Sequence, residues 1–409
     1  MSARTCRFCG APLEVCVADL GMTPLANSFL SAERLGAMEP FLPLSAFVCS
    51  HCFLVQLGHF EAPEGIFSDY VYFSSFSDTW LKHAEAYAAA MTARLGLGNH
   101  SHVVEIASND GYLLQYFRAR GVPVLGVEPA ANVAKVAVER GVPTRVAFFG
   151  SELAEALRRD GPAADLIAAN NVLAHVPAIN DFVRGFKILL APEGVVTIEV
   201  PHLLNLIEQS QFDTIYHEHF YYFSLAAARA VLARHGLAVF DVADLPTHGG
   251  SIRIFASHAE RALPETPAVA ALLARERAAG LDRLDTYRAF AEQIVATKVS
   301  VLGFFVEASR AGKTVIGYGA PAKGNTLLNY CGIGPELMAC TVDRSPHKQG
   351  LFLPGTHIPV RAPEEILRRK PDYVFILPWN LEAEIVEQMA AVRDWGGKFV
   401  TPIPRVRVI

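Results

Sequence analysis

A chain of 409 residues that is 51% hydrophobic, with a mean hydropathy of +0.25, can bury a sizeable core and is expected to divide into two or three domains. Its 36 Lys plus Arg against 41 Asp plus Glu leave a net charge of −5, which excludes a general attraction to nucleic acid or an anionic membrane and leaves any anionic ligand to a local site. The opening Met1-Ser2-Ala3-Arg4-Thr5-Cys6 has no apolar stretch of the signal-peptide kind, and no uninterrupted apolar run approaches the roughly twenty residues of a membrane span, so a soluble cytoplasmic protein is expected.

In that compartment seven cysteines do not make a disulfide framework, but four of them are organised. Cys6-Arg7-Phe8-Cys9-Gly10 and Cys49-Ser50-His51-Cys52 are two CxxC knuckles roughly forty residues apart, the pattern in which paired thiolates complete a tetrahedral zinc site. Four thiolates leave no open position for substrate or water, so the zinc is expected to be structural and to supply much of the small lobe's folding free energy. His51 reads as a bystander, and Cys16, Cys331 and Cys340 have no partner at ligand spacing.

Next comes an aromatic segment, Phe67 to Trp80, in which Tyr70 and Tyr72 alternate with apolar residues, so an extended backbone would turn both hydroxyls to one side. It reads either as a strand covering the next domain or as a linker facing a cleft, the pair Ser74-Ser75 offering donors with no evident structural use. From about residue 80 helix and strand alternate. The strand His102-Val103-Val104-Glu105-Ile106-Ala107 enters the tight turn Ser108-Asn109-Asp110-Gly111 and then a helix beginning near Tyr112-Leu113-Leu114, the first nucleotide-binding loop of a doubly wound sheet. Gly111 is its only glycine, which argues against a phosphate-cradling loop. A second strand, Val122 to Val127, ends at Glu128-Pro129-Ala130, where a carboxylate can accept both hydroxyls of a ribose. The run Asp165 to Leu173 delivers Asn170, Asn171 and then His175 to the same edge, and Val195 to Pro201 is a further strand. As an ordered set these features resemble the S-adenosylmethionine site of class I methyltransferases more than a dinucleotide site, with Glu105, Ala107, Ser108, Asn109, Asp110, Gly111, Tyr112, Leu113, Glu128, Pro129, Asn170, Asn171 and His175 as its expected residues.

The segment Phe212 to Tyr222 crowds two imidazoles, two carboxylates and three phenols between apolar flanks. In a helix Tyr216 and His219 would share a face; in a strand Tyr216 and Glu218 would lie on one side and His217 and His219 on the other. Thr247-His248-Gly249-Gly250-Ser251 follows, where two glycines permit close backbone approach to a ligand, with Arg253 behind it. Residues 260–312 read as one or two helices bridging domains. The strand, turn and helix theme then returns at Lys313 to Thr326, and Asp343 closes a later strand at the spacing of a ribose ligand.

The CRxCG start, the YxYxSS segment, EIASNDG, GVEPA, NNVLAHV, IYHEHF and THGGSIR resemble, in this order and over nearly the whole chain, the sugar-nucleotide C-methyltransferases of bacterial deoxysugar pathways. The resemblance implies an α/β protein of three parts: a zinc-binding N-terminal lobe (1–75), a doubly wound class I methyltransferase domain (76–260), and a helical linker with a second Rossmann-like domain (261–409) that helps hold the sugar nucleotide. It implies zinc and S-adenosylmethionine as cofactors. The implied substrate is a small-molecule dTDP-, GDP- or CDP-linked 4-keto-6-deoxysugar, methylated on carbon, commonly at C3 and in some members at C5. His219 maps to the base, Tyr216 with Tyr70 or Tyr72 to proton relays or donors, and Glu218 to a residue that orients its neighbours; His217 falls at the variable position and is taken as non-catalytic. For the sugar nucleotide His248, Gly249, Gly250, Arg253, Tyr318, Lys323, Asn325, Asp343, Lys348, Trp379 and Asn380 are expected to contribute. Transfer to oxygen or nitrogen, or a zinc-containing binding module without activity, are the rival readings. The sequence leaves the sugar, the nucleotide and the oligomeric state open, a monomer among the possibilities.

Overall fold

The computed structural model describes residues 4–58, 74–76 and 78–409. Among these the strands assemble into three sheets. The N-terminal sheet is an antiparallel meander of β1 (Val15–Thr23), β2 (Leu42–Val48) and β3 (Val55–Leu57). Its fourth strand comes from the middle of the chain: Tyr221–Tyr222, β9 in chain order, pairs antiparallel with Gln56 and Val55.

The central sheet has seven strands in the order β10-β11-β8-β7-β4-β5-β6. Here β4 is Val103–Ile106, β5 Val124–Val127, β6 Thr144–Arg145, β7 Ala164–Asn170, β8 Leu190–Pro201, β10 Leu237–Leu245 and β11 Ser251–His258. The five strands from β4 to β8 run parallel, while β11 is antiparallel to both β8 and β10. Because helices cover both faces, its inner strands read as nearly continuous apolar runs; in β4 all four residues are buried, Glu105 among them. Strand order reverses between β4 and β7, and the loops that follow them splay apart there, as a ligand crevice requires.

The C-terminal sheet repeats the scheme in the order β14-β13-β12-β15-β16-β17, with β12 Val315–Tyr318, β13 Thr341–Val342, β14 Val360–Arg361, β15 Tyr373–Ile376, β16 Lys398–Thr401 and β17 Arg407–Val408. All pairings are parallel except β16 with β17. Two helices, Pro267–Ala278 and Leu284–Arg310, bridge the sheets. The second is long and apolar enough to cross a membrane by length and composition alone. Its Tyr287, Phe290, Ile294, Val301, Phe305 and Ala308, spaced at the helical period, are buried within the protein, Phe305 meeting Phe375 at 5.0 Å.

The first bridging helix is tied to the central sheet by a buried polar knot. Glu276, 2% exposed, accepts from His202 Nε2 (2.7 Å) and from the backbone N–H groups of Leu225 (2.5 Å) and Ala226 (3.0 Å) at the start of the helix Leu225–Arg234, where the helix dipole favours an anion. Glu276→Ala would strand all three donors, so urea unfolding should show a loss of about 3–5 kcal/mol, with Glu276→Gln intermediate; a loss under about 1 kcal/mol would show the knot to be dispensable.

Candidate functional site

The four knuckle cysteines converge: their Sγ atoms all lie within 4.8 Å of one another, with Cys6 to Cys52 at 3.7 Å and Cys9 to Cys49 at 3.5 Å. Ligands about 2.3 Å from a tetrahedral zinc stand about 3.8 Å apart, so the cluster fits the ion without rearrangement. Cys6 receives hydrogen bonds from the Cys52 thiol, the Cys9 backbone and Gln56 Nε2 (3.1 Å), and these hold its own thiol low, at about 4, a ligand ready as thiolate. The knuckle also reaches beyond itself. Arg7, between two ligands, donates to the Phe220 carbonyl (3.2 Å) and the Tyr221 hydroxyl (3.2 Å), and its backbone N–H bonds Gln56 Oε1.

At the carboxyl edge of β4 the turn Ala107 to Gly111 takes three left-handed conformations, at Ala107 (φ 57°), Asn109 (φ 49°) and Gly111 (φ 78°). The stretch around Asn109 is held from outside. Asn109 Oδ1 accepts from Ser74 N (2.9 Å), Asp110 takes Ser75 Oγ and Arg140 Nη1 (2.9 Å), and Glu128 bridges the backbone N–H groups of Asn109 and Ala130 (2.9 Å each). Ser74 and Ser75 thus have the structural use that the sequence did not disclose: they cap this turn. Asp110 is fully buried and faces that cap, and Leu113 is packed in the core with no exposed surface, so these two line the loop's inner side. Behind the turn sits Glu105, fully buried, neither carboxylate oxygen closing a hydrogen bond of normal geometry. Burial, with Glu128, Asp110 and Glu199 adding repulsion and the Tyr112 hydroxyl opposing, pushes its carboxyl well above the usual range. Ser108 Oγ and the Oδ1 atoms of Asn170 and Asn171 are likewise buried acceptors without a donor. A set of orphaned acceptors around one crevice suits a cationic, hydroxyl-bearing ligand. Pro129 is half-buried beside Glu128.

The segment from Phe212 is neither helix nor strand. A short 3-10 turn, Phe212–Thr214, is followed by a β-turn closed by His219 N to the Tyr216 carbonyl (2.9 Å), and only then by β9. The β-turn brings the Tyr216 and His219 rings together at 3.9 Å, tilted by 34°, the convergence a helix would also have given. His219 Nδ1 lies 2.8 Å from the Thr214 carbonyl and must donate to it, which leaves Nε2 with the free lone pair. Burial, then the facing His175 ring at 4.7 Å, holds the His219 pKa well below the ordinary imidazole value, only partly opposed by Thr214. His175 therefore stands against His219 as well as at the end of β7. Glu218 is buried, its carboxyl pushed up to about 6, and its partner is Asn27 of the N-terminal lobe (Oε1 to Nδ2, 2.7 Å). His217 is 2% exposed. Tyr70 and Tyr72 lie outside the described residues.

Across the cleft His248 adopts a left-handed φ of 56°, with Nε2 3.3 Å from Asn171 Nδ2 and its ring 5.4 Å from Trp80. Burial first, then Lys323, lowers its pKa to about 4. Gly249 and Gly250 leave room for protein rather than ligand: a Cβ on Gly249 would meet the Trp379 ring at 2.7 Å, and one on Gly250 the Asn205 amide at 2.3 Å. From the helix Ala322–Cys331 of the C-terminal domain Lys323 places its ammonium 4.0 Å over the Trp379 ring and bonds Asn380. Other residues expected at the sugar nucleotide are committed elsewhere. Arg253, opposite Glu199 in the β8–β11 register, is buried in an ion pair with it (Nε to Oε1, 2.7 Å), beside His83. Asn325, 1% exposed, donates to the Ala26 carbonyl (2.6 Å). Asp343 and Lys348 staple the turn after β12, Asp343 accepting from Ala320 N and Lys348 donating to the Ala320 carbonyl. Tyr318 belongs to the C-terminal core, its hydroxyl turned to Gln388. On the far side of the Gly249-Gly250 loop opens a cleft of about 680 Å³ whose Glu208 and Asp244 outnumber Arg275, a poor setting for a diphosphate.

Two residues in this region carried no sequence signal of their role. Trp80 stacks on Tyr112 (5.9 Å) and His83 (5.0 Å) and edges His248, closing the crevice from the helix Asp78–Leu95. Asp213 is fully buried and accepts from Trp379 Nε1 at 2.8 Å.

A seven-stranded, mostly parallel sheet with an antiparallel strand inserted beside its last parallel one, an acidic residue closing its first strand and a buried acceptor set at the switch point, defines a class I S-adenosylmethionine-dependent methyltransferase. Residues 80–242 match the family described as "Methyltransferase domain", residues 246–404 the "C-methyltransferase C-terminal domain", and residues 6–67 the "Putative zinc binding domain". The chain is 39% identical over 404 residues to C-methyltransferase NovU of Streptomyces niveus, covering 99% of this chain and 96% of that one. It belongs to the C-methyltransferase family. Among solved structures it is similar to magnesium protoporphyrin IX methyltransferase (ChlM) of Synechocystis PCC 6803 with bound SAM, at 15% identity and a TM-score of 0.33 over 43% of this chain and 78% of that one. It is also similar to an S-adenosylmethionine-dependent methyltransferase of Clostridium acetobutylicum ATCC 824, at 11% identity and a TM-score of 0.35 over 44% and 92%.

Since Arg7 joins the metal knuckle to Phe220 and Tyr221, stripping zinc with a chelator should lower methyl transfer while S-adenosylmethionine binding, followed by calorimetry, persists. Equal loss of both, or of neither, would contradict this coupling.

Proposed function

We propose that this enzyme methylates the carbon beside the keto group, at C3, of a nucleoside-diphosphate 4-keto-6-deoxysugar, with His219 as the base. The observation that carries the reading is the Nδ1–H bond to Thr214, which presents a neutral imidazole with its Nε2 lone pair free. A carbon next to a ketone is acidic because its anion delocalises into the carbonyl, so the reaction needs a base for the proton and donors for the enolate oxygen. His219 takes the proton. Tyr216, packed against the imidazole, supplies a phenol at the same place, and one of Tyr70 or Tyr72 is the second donor in this reading. Glu218, anchored by Asn27, holds the turn that carries both rings.

Glu105, Asn109, Glu128, Asn170 and Asn171 would hold S-adenosylmethionine, their carboxylates and amide oxygens matching its ammonium and ribose hydroxyls. When bound it supplies an electrophilic methyl on a sulfonium. Trp80 and Tyr112 exclude water from that crevice. Lys323, Asn380 and His248 are the polar groups left to meet the sugar nucleotide, Lys323 the cation for its diphosphate. The partner in this reading is a small molecule, with dTDP, GDP and CDP as the nucleotides to test.

His219→Asn should reduce solvent exchange of the substrate C–H and methyl transfer by about 10²–10⁴-fold while donor binding persists. The base works when neutral, so activity falls as pH drops through its folded pKa; because that value is depressed, the acidic limb should lie below about 6.5. Undiminished exchange in the variant, or a new methyl found by NMR on oxygen or nitrogen, would refute the reading.

A further inference from the structure

We propose that Asp213 and Trp379 are positioning residues for proton abstraction, through which the C-terminal domain sets the orientation of the His219 ring. This rests on the assignment of His219 as base. The turn Phe212–Thr214 carries the partner of His219 Nδ1, the Thr214 carbonyl, and that turn is seated on the C-terminal domain rather than on its own sheet. Phe212 meets the Tyr330 ring at 5.5 Å, and Asp213, with no exposed surface, reaches across to Trp379 Nε1 at 2.8 Å. Its other oxygen, Oδ1, is buried without a hydrogen-bond partner, and beside the turn's own backbone the indole N–H is the contact that fixes this carboxylate from the C-terminal domain.

The Trp379 ring is itself gripped on several sides. Lys323 lies 4.0 Å over its face and holds Asn380, and the bare Cα of Gly249 leaves space for its edge. Gln211, at the start of the same turn, donates to the Gly249 carbonyl (2.8 Å) and accepts Thr214 Oγ1 on its own carbonyl (2.7 Å). An anionic substrate drawn to Lys323 and Asn380 thus presses on the residue that orients Asp213, and Asp213 is the direct neighbour of the carbonyl that selects the His219 tautomer. The C-terminal domain does more than hold the substrate: it aligns the base.

The test uses the full-length, zinc-loaded enzyme. Trp379→Phe keeps an aromatic ring, though a smaller one, and deletes the N–H; Asp213→Ala deletes the acceptor; Asp213→Asn keeps one. Donor-free exchange of the substrate C–H, kcat, KM and the 15N signals of the His219 imidazole are the readouts. Trp379→Phe and Asp213→Ala should each slow exchange and kcat by about 10- to 100-fold, the scale set by a small misplacement of a reacting group, with KM nearly constant. The imidazole signals should move toward a mixed tautomer, the double variant should be no slower than the slower single, and Asp213→Asn should recover most of the rate. A rise in KM with exchange and tautomer unchanged would overturn the proposal and leave Trp379 a wall of the substrate cleft. Should Asp213→Ala fail to fold, Trp379→Phe and Asp213→Asn decide the matter. Normal exchange in His219→Asn, with the imidazole signals still displaced in Trp379→Phe, would remove the base assignment and uphold the coupling.

Discussion

Everything at the cleft depends on how one irregular segment, Phe212 to Tyr222, is held in place. It lacks a helix ladder, and only its last two residues join a sheet, so its geometry comes from its neighbours. The C-terminal domain grips its start at Phe212 and Asp213. The central domain holds Phe220 by a bond from its N–H to the Ala174 carbonyl (2.7 Å) and sets His175 against His219. The N-terminal lobe takes Glu218 through Asn27 and the Tyr221–Tyr222 strand through β3. A loop fixed by three lobes can carry proton-handling groups in a buried place, because the directional bonds that orient them are made to rigid elements rather than to other parts of the loop.

That burial has a chemical cost. His175 and His248, both lowered to about 4 by desolvation first, and His219, held well below its usual value by burial, are all neutral near neutral pH. Neutral imidazoles are available at once as bases, but a depressed pKa makes each a weaker one. In the proposed reaction, proton removal by such a group is feasible only if the anion it generates is well stabilised, so the burden shifts to donors around that anion and to the exclusion of water, which strengthens those contacts. The enclosure by Trp80, Tyr112 and His248 and the crowding of phenols beside His219 follow from the same requirement.

The parts legible in the sequence were those with local patterns. Two CxxC knuckles predict a four-thiolate cluster because a metal site fixes its ligand spacing, and an acidic strand end before a tight turn predicts the central crevice because both lie within one strand–turn–helix unit. What stayed hidden were contacts between residues far apart in the chain. Asn27 and Glu218 are 191 positions apart and Asp213 and Trp379 are 166 apart, and no periodicity announces either pair. Arg253 looked available until the β8–β11 register set it opposite Glu199, and Asn325 until the fold brought the Ala26 carbonyl to it. Gly249 and Gly250 were read as places of close approach to a ligand; what approaches in the fold is Trp379 and Asn205.

The metal lobe is best understood through the same loop. A four-thiolate centre cannot touch the substrate chemistry directly, yet Arg7, lying between two of its ligands, is stacked on the Tyr221 ring at 5.1 Å and bonded to its hydroxyl and to the Phe220 carbonyl. Gln56 bonds the thiolate of Cys6 on one side and, as a member of β3, faces Tyr221 on the other. Only the Phe220 peptide separates these contacts from His219. A metal that organises Cys6 and Cys9 therefore also fixes Arg7, and with it the far end of the segment whose near end the C-terminal domain fixes. Clamping both ends of a short irregular loop restricts its backbone far more than clamping one, since the conformations lost are those in which the free end swings. The zinc lobe and the C-terminal domain are in this sense two halves of one device, and the imidazole lies between them.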